Sequence, residues 1–189
     1  SRSAAIYKAW QEMETAERTY ERELQAFVTK AEALAKKAVA KQQELEELTS
    51  KLKADIEAAP AASFESDLSD LTTAKVARLL GALNDDFRGK KKPELEARGH
   101  ELARLCDDLE AMRKAYIAST GTSDSLPPLS FAVAPEVIVG AWSDMEAAEL
   151  KYEKELVAAQ TKAQAEDKVQ AEEGSEVRTQ ATAKAAKAE

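Results

Sequence analysis

From Ser3 to Ala58 the chain contains neither proline nor glycine, and no other feature limits its fold so strongly. The apolar residues of that stretch include Trp10, Met13, Tyr20, Leu24, Phe27, Ala31, Leu34, Ala38, Leu45, Leu48, Leu52 and Ile56. They step by three and four, or sum to seven where Glu17 or Lys41 takes the position. That spacing keeps one stripe of a helix facing a partner helix. One continuous helix of about 55 residues would span roughly 80 Å. Composition agrees, since Ala, Glu, Lys and Leu dominate and only 5% of residues are aromatic. No run alternates apolar and polar residues for long enough to read as a strand. The expectation is an all-α fold, an elongated antiparallel helical bundle.

Breaks in the pattern set the expected elements. Pro60 closes the long helix (about 3–58), because proline disfavours helix at the residue before it. A second helix, about 67–87, is expected to start near Ser66 to Ser69 with serine or aspartate as cap, carrying Leu68, Leu71, Val76, Leu79, Leu80, Leu83 and Phe87. Gly89 and the lysines after it read as a turn. Pro93 suits the first position of a third helix, about 93–118, where its missing N–H costs nothing. Residues 119–134, with Ser, Thr, Gly and Asp followed by Pro127-Pro128, read as a linker. Leu129, Phe131, Val133 and Val137 are expected to pack onto a bundle end. Pro135 then opens a fourth helix, with the start of a second unit over 135–173. The tail, 174–189, has little to bury and is expected to be helical by propensity or frayed.

The fourth helix repeats the first. Trp10, Met13, Glu14, Ala16, Glu17, Tyr20, Glu21, Glu23 and Leu24 recur as Trp142, Met145, Glu146, Ala148, Glu149, Tyr152, Glu153, Glu155 and Leu156, at a constant offset of 142 − 10 = 132 residues. Matching Ala and Glu could arise by chance in a biased sequence, but matching Trp, Met, Tyr and Leu in register could not. Repeated helical units around a large aromatic are the mark of stacked arrays. A buried Trp removes 150–250 Å² from water, on the order of 4–6 kcal/mol before entropy costs. Trp10, Met13, Tyr20 and Leu24, with Trp142, Met145, Tyr152 and Leu156, are therefore the expected core anchors. The sequence from Trp10 to Leu24, and its copy from Trp142, resembles the first helix of a spectrin repeat, in the form found in the rod of α-actinin-like proteins. The resemblance implies a three-helix bundle with the tryptophan in its core. Residues 1–118 would then form one spectrin-like unit, and the fourth helix would open the next.

A formal net charge of −8 argues against nucleic acid as a partner, since phosphate needs a positive face. The densest basic run, Arg88, Lys90, Lys91 and Lys92, is expected to be a solvated loop and is the one candidate contact for an anionic partner. The single Cys106 cannot form an internal disulfide, so a reducing, cytoplasmic setting is expected. With one histidine, His100, a histidine triad or a multi-histidine metal site cannot be built. No phosphate loop or calcium-loop spacing occurs either. The expectation is no catalytic residue, no cofactor and no metal.

The resemblance implies a structural rod or spacer of a cytoskeletal, actin-crosslinking protein. Its partners would be proteins, with a homodimer expected and actin reached only through domains outside this stretch. Two other readings are a BAR-like membrane-associated helical module, with the basic run on anionic lipid, and a coiled-coil adaptor.

Overall fold

A computed structural model describes residues 2–126 and 133–188. Among these the chain is all-α, and no strand forms. Four α-helices occur: α1 (Arg2–Ser63), α2 (Thr73–Ala82), α3 (Lys92–Thr120) and α4 (Pro135–Lys187). A π-helical segment, Leu83–Lys91, joins α2 to α3.

The long first helix forms, but Pro60 does not close it at about residue 58 as expected: the helix passes through Pro60 and ends at Ser63. A proline costs an interior helix one hydrogen bond and a clash with the carbonyl four residues back. Here it lies in the last turn, where little helix remains to be disrupted. The Pro60 carbonyl still accepts from Phe64 N–H at 2.9 Å.

The second helix begins later than its sequence suggests. Asp67 takes hydrogen bonds from the Ser69 N–H and hydroxyl, and Asp70 adopts a positive φ of 49°. Asp67 therefore builds a turn rather than a cap, a role its short acceptor side chain equally fits. The cap is Thr72, whose hydroxyl accepts from Lys75 N–H at 3.3 Å.

The expected turn at Gly89 to Lys92 does not exist. The backbone stays helical from α2 into α3, but bonds five residues back, as Lys92 N–H does to the Phe87 carbonyl. Two residues account for the change of register. Pro93 has no N–H to offer, and in α geometry its ring would press on the carbonyl four residues back. Gly89 tolerates the close packing, because a Cβ there would lie 3.2 Å from the Asn84 carbonyl oxygen.

Helix α4 opens at Pro135, as expected, and continues to Lys187 through the low-complexity tail. Val137, expected against a bundle end, is instead 45% exposed, and Val133 is half-buried. The expected contacts of Leu129 and Phe131, and Pro127-Pro128 themselves, lie outside the described residues.

The chain divides into two compact units, one of residues 1–49 with 101–132, the other of 50–100 with 133–189. This differs from the consecutive division expected, because each unit draws on two separate stretches. In the first unit Ala38 and Leu45 of α1, and Leu102, Leu105, Leu109 and Tyr116 of α3, are buried. In the second, the end of α1 runs antiparallel to the helix from α2 into α3. Arg98 meets Asp55 at one end of that pairing and Phe87 meets Phe64 at the other. Helix α4 is antiparallel to the same element, with Asp167 bonded to Thr73, Glu149 to Arg88 and Glu146 to Lys92.

Candidate helix-docking site

In the second unit, α4 presents Met145, Glu149, Tyr152 and Leu156 along one stripe, all buried. Steps of four, three and four place them on one helix face. The receiving wall is aromatic. Phe64, just past the end of α1, lies edge-on to Phe87 with ring centroids 4.8 Å apart. On its other side it stacks on Tyr152 at 4.6 Å, with the planes 13° apart. Such pairs add about 0.5–1.5 kcal/mol each beyond the area they bury. The Tyr152 hydroxyl accepts from the Glu65 N–H at 3.2 Å, which ties the chain leaving α1 to α4.

A carboxylate sits in the middle of this stripe. The Glu149 side chain is only 8% exposed, so its charge needs partners. Arg88 Nε donates to Glu149 Oε1, and Lys92 Nζ donates to Glu149 Oε2 at 2.9 Å. Arg88 then forks onto Glu153, with Nη1 and Nη2 donating at 2.8 and 2.9 Å. Lys92 also meets Glu146 at 3.0 Å. The planar guanidinium matches a carboxylate edge in this geometry, which a lysine cannot reproduce.

The charges adjust accordingly. Hydrogen bonds to Glu153 and then Glu149 raise the Arg88 pKa. Burial alone would push the Lys92 pKa down, but Glu149 and Glu146 outweigh it and raise it. Burial alone would push Glu149 up, and the bonds from Arg88 and Lys92 outweigh it and hold it low. Glu153 is lowered by its bond from Arg88.

Two of the four cations of the basic run, Arg88 and Lys92, are therefore not free for an anionic partner, while Lys90 and Lys91 stay at the surface. Arg88 and Lys92 are committed to α4, Lys90 pairs with Asp86 at 2.8 Å, and Lys91 lies 3.7 Å from Glu94. The helical path through the π segment sends Arg88 and Lys92 toward α4, where a turn would have left them in solvent.

The eight expected core anchors split into two groups. Met145, Tyr152 and Leu156 are buried, and Trp142 is half-buried. Trp142 helps line an open cavity of about 260 Å³ with Leu52, Ile56, Leu95, Gly99 and Ile138. In the first copy, Trp10, Met13, Tyr20 and Leu24 are instead exposed at 60%, 52%, 66% and 48%. Their stretch of α1 has the same pattern, but no helix among the described residues covers it as α2 and the π segment cover α4.

His100 is exposed and Cys106 is half-buried, with burial raising the thiol pKa. Among the described residues, no group of three or more His, Cys, Asp or Glu side chains is placed to hold a metal ion. No helix among them is long and apolar enough to cross a membrane.

Sequence reasoning did not name Glu149, Glu153 and Phe64 as site residues. One signal for Glu149 was present, since its counterpart Glu17 interrupts an otherwise apolar stripe. Compared with protein-family models, with curated proteins and with solved structures, the chain gives no match.

Proposed function

We propose that the chain is a structural helical segment, a spacer of the kind used in cytoskeletal, actin-crosslinking proteins. The reading rests on one observation: the Trp142 copy of the repeated motif is spent on helix packing. Its apolar stripe is buried, and its three carboxylates hold Arg88 and Lys92. The spectrin-like sequence pattern supports the same reading. Such a segment works through protein partners, self-association included, and reaches actin through domains outside this stretch. The membrane-associated reading has fewer cations to draw on, because Arg88 and Lys92 are held by carboxylates within the chain and only Lys90 and Lys91 stay at the surface.

Small-angle scattering tests the spacer reading. A compact chain of this length would have a radius of gyration of about 16 Å. A 62-residue helix is about 93 Å long, and as a straight rod has a radius of gyration of about 27 Å by itself. The expected value is above about 25 Å, extrapolated over a concentration series. A value near that of a compact chain would exclude a spacer.

A further inference from the structure

The stripe that is buried in α4 is open to solvent in α1. Ile6, Trp10, Met13, Tyr20, Leu24 and Phe27 follow heptad spacing, with Glu17 between Met13 and Tyr20, and all are exposed. An apolar face this long is unusual when nothing among the described residues covers it. The 132-residue offset carries over the charges as well as the apolar side chains. Glu14, Glu17 and Glu21 correspond to Glu146, Glu149 and Glu153, the three carboxylates that hold Arg88 and Lys92. The surface that covers α4 thus defines what chemistry the α1 face fits.

We propose that the α1 face from Ile6 to Phe27 docks onto a two-helix surface of a partner protein, with an aromatic wall beside an arginine and a lysine four residues apart. Two closer occupants are unsuited. A symmetric pairing of the face with itself, parallel or antiparallel, puts Glu17 against its own counterpart near the middle. Two carboxylates are then desolvated together with no cation between them, which is strongly unfavourable. The matching surface of a second copy is already filled by that copy's α4, and exchange would uncover as much of the face as it covered. The partner surface therefore comes from outside these residues.

The inference goes beyond the spacer reading and does not depend on it, since scattering dimensions and docking specificity can fail separately. The chain's own α4-binding surface serves as the probe once it is uncovered. The double variant Glu149→Lys, Glu153→Lys sets like charges against Arg88 and Lys92 and unseats α4. Its mass by sedimentation is expected to rise with concentration to about twice that of one chain or more, since head-to-tail docking builds either a closed ring or a longer array. Adding Glu17→Lys and Glu21→Lys should abolish the rise. Adding Glu146→Lys together with Arg88→Glu and Lys92→Glu should also abolish it, by restoring all of the ion pairs with reversed sign and reseating α4. Should the double variant lose its helical signal, the same readings are taken on Tyr152→Ala. With Trp142→Phe added, Trp10 is the only tryptophan, and its emission should shift to shorter wavelength on association. No added association, association indifferent to Glu17 and Glu21, or an unshifted Trp10 spectrum would each overturn the proposal.

Discussion

Glu149 carries a charge at a position where its helix is otherwise apolar, and Arg88 and Lys92 make that tolerable. Removing one partner of a buried pair typically costs about 3–5 kcal/mol. Because the Arg88 side chain keeps 32% of its exposure and also holds Glu153, Glu149→Gln is expected to cost less, about 1–3 kcal/mol at neutral pH. The pH dependence has a definite sign. Glu149 and Glu153 titrate below the ordinary glutamate value of 4.5, so in acid the unfolded chain binds more protons. Their contribution is full above that value and is lost as pH falls through their folded pKa values. Arg88 and Lys92 have raised pKa values and stay charged throughout this range. Urea unfolding at pH 7 and pH 4 should show a smaller acid loss for Glu149→Gln than for the wild type. An equal loss would mean that Glu149 does not carry it. Asp55, held low by its bond to Arg98, leaves some acid sensitivity in either chain. The seam glutamate was legible in the sequence through its counterpart Glu17. Its cation was not, since Arg88 lies 61 residues away and only folding brings the two together.

Among the elements, heptad spacing located α1, α3 and α4 well, because each has a long apolar stripe that only a helix can gather. The junction between α2 and α3 was misread for a physical reason. Gly89 followed by lysines has the composition of a turn, but docking of α4 needs Arg88 and Lys92 on a helix. That long-range demand is invisible in a local window. The π segment makes a prediction about its glycine. At Gly81, also helical, an added Cβ would meet nothing within 4 Å. Gly81→Ala should therefore gain about 0.5–1 kcal/mol from reduced backbone entropy in the unfolded chain. Gly89→Ala should gain less or lose stability, because its Cβ would press on the Asn84 carbonyl, which is backbone and cannot swing away. Chemical denaturation of both variants decides this, and equal gains would mean that the π register places no demand on residue 89.

For the whole molecule, stability is unevenly spread along the sequence. Residues 164–187 of α4 include no buried residue. Their Ala-rich composition favours helix, yet a short helix without tertiary packing is marginal in water. Ending the chain after Lys168 should change unfolding free energy by no more than about 0.5 kcal/mol. Ending it after Lys151 removes Tyr152, Glu153 and Leu156, and should unseat the rest of α4. Equal effects of the two truncations in thermal unfolding would contradict this distribution of the core. The repeat at 132 residues was legible, but the interleaving of the two units was not, because spacing along a chain does not say which stretches share a core. That interleaving has a consequence for synthesis on the ribosome. Arg88 and Lys92 emerge well before Glu149, 149 − 92 = 57 residues behind Lys92. At about 5–20 residues per second, these cations wait roughly 3–11 s for their carboxylate, beside a Phe87 not yet sealed by α4. The nascent chain thus passes through a stage with a basic, aromatic surface, although the finished protein has a net charge of −8.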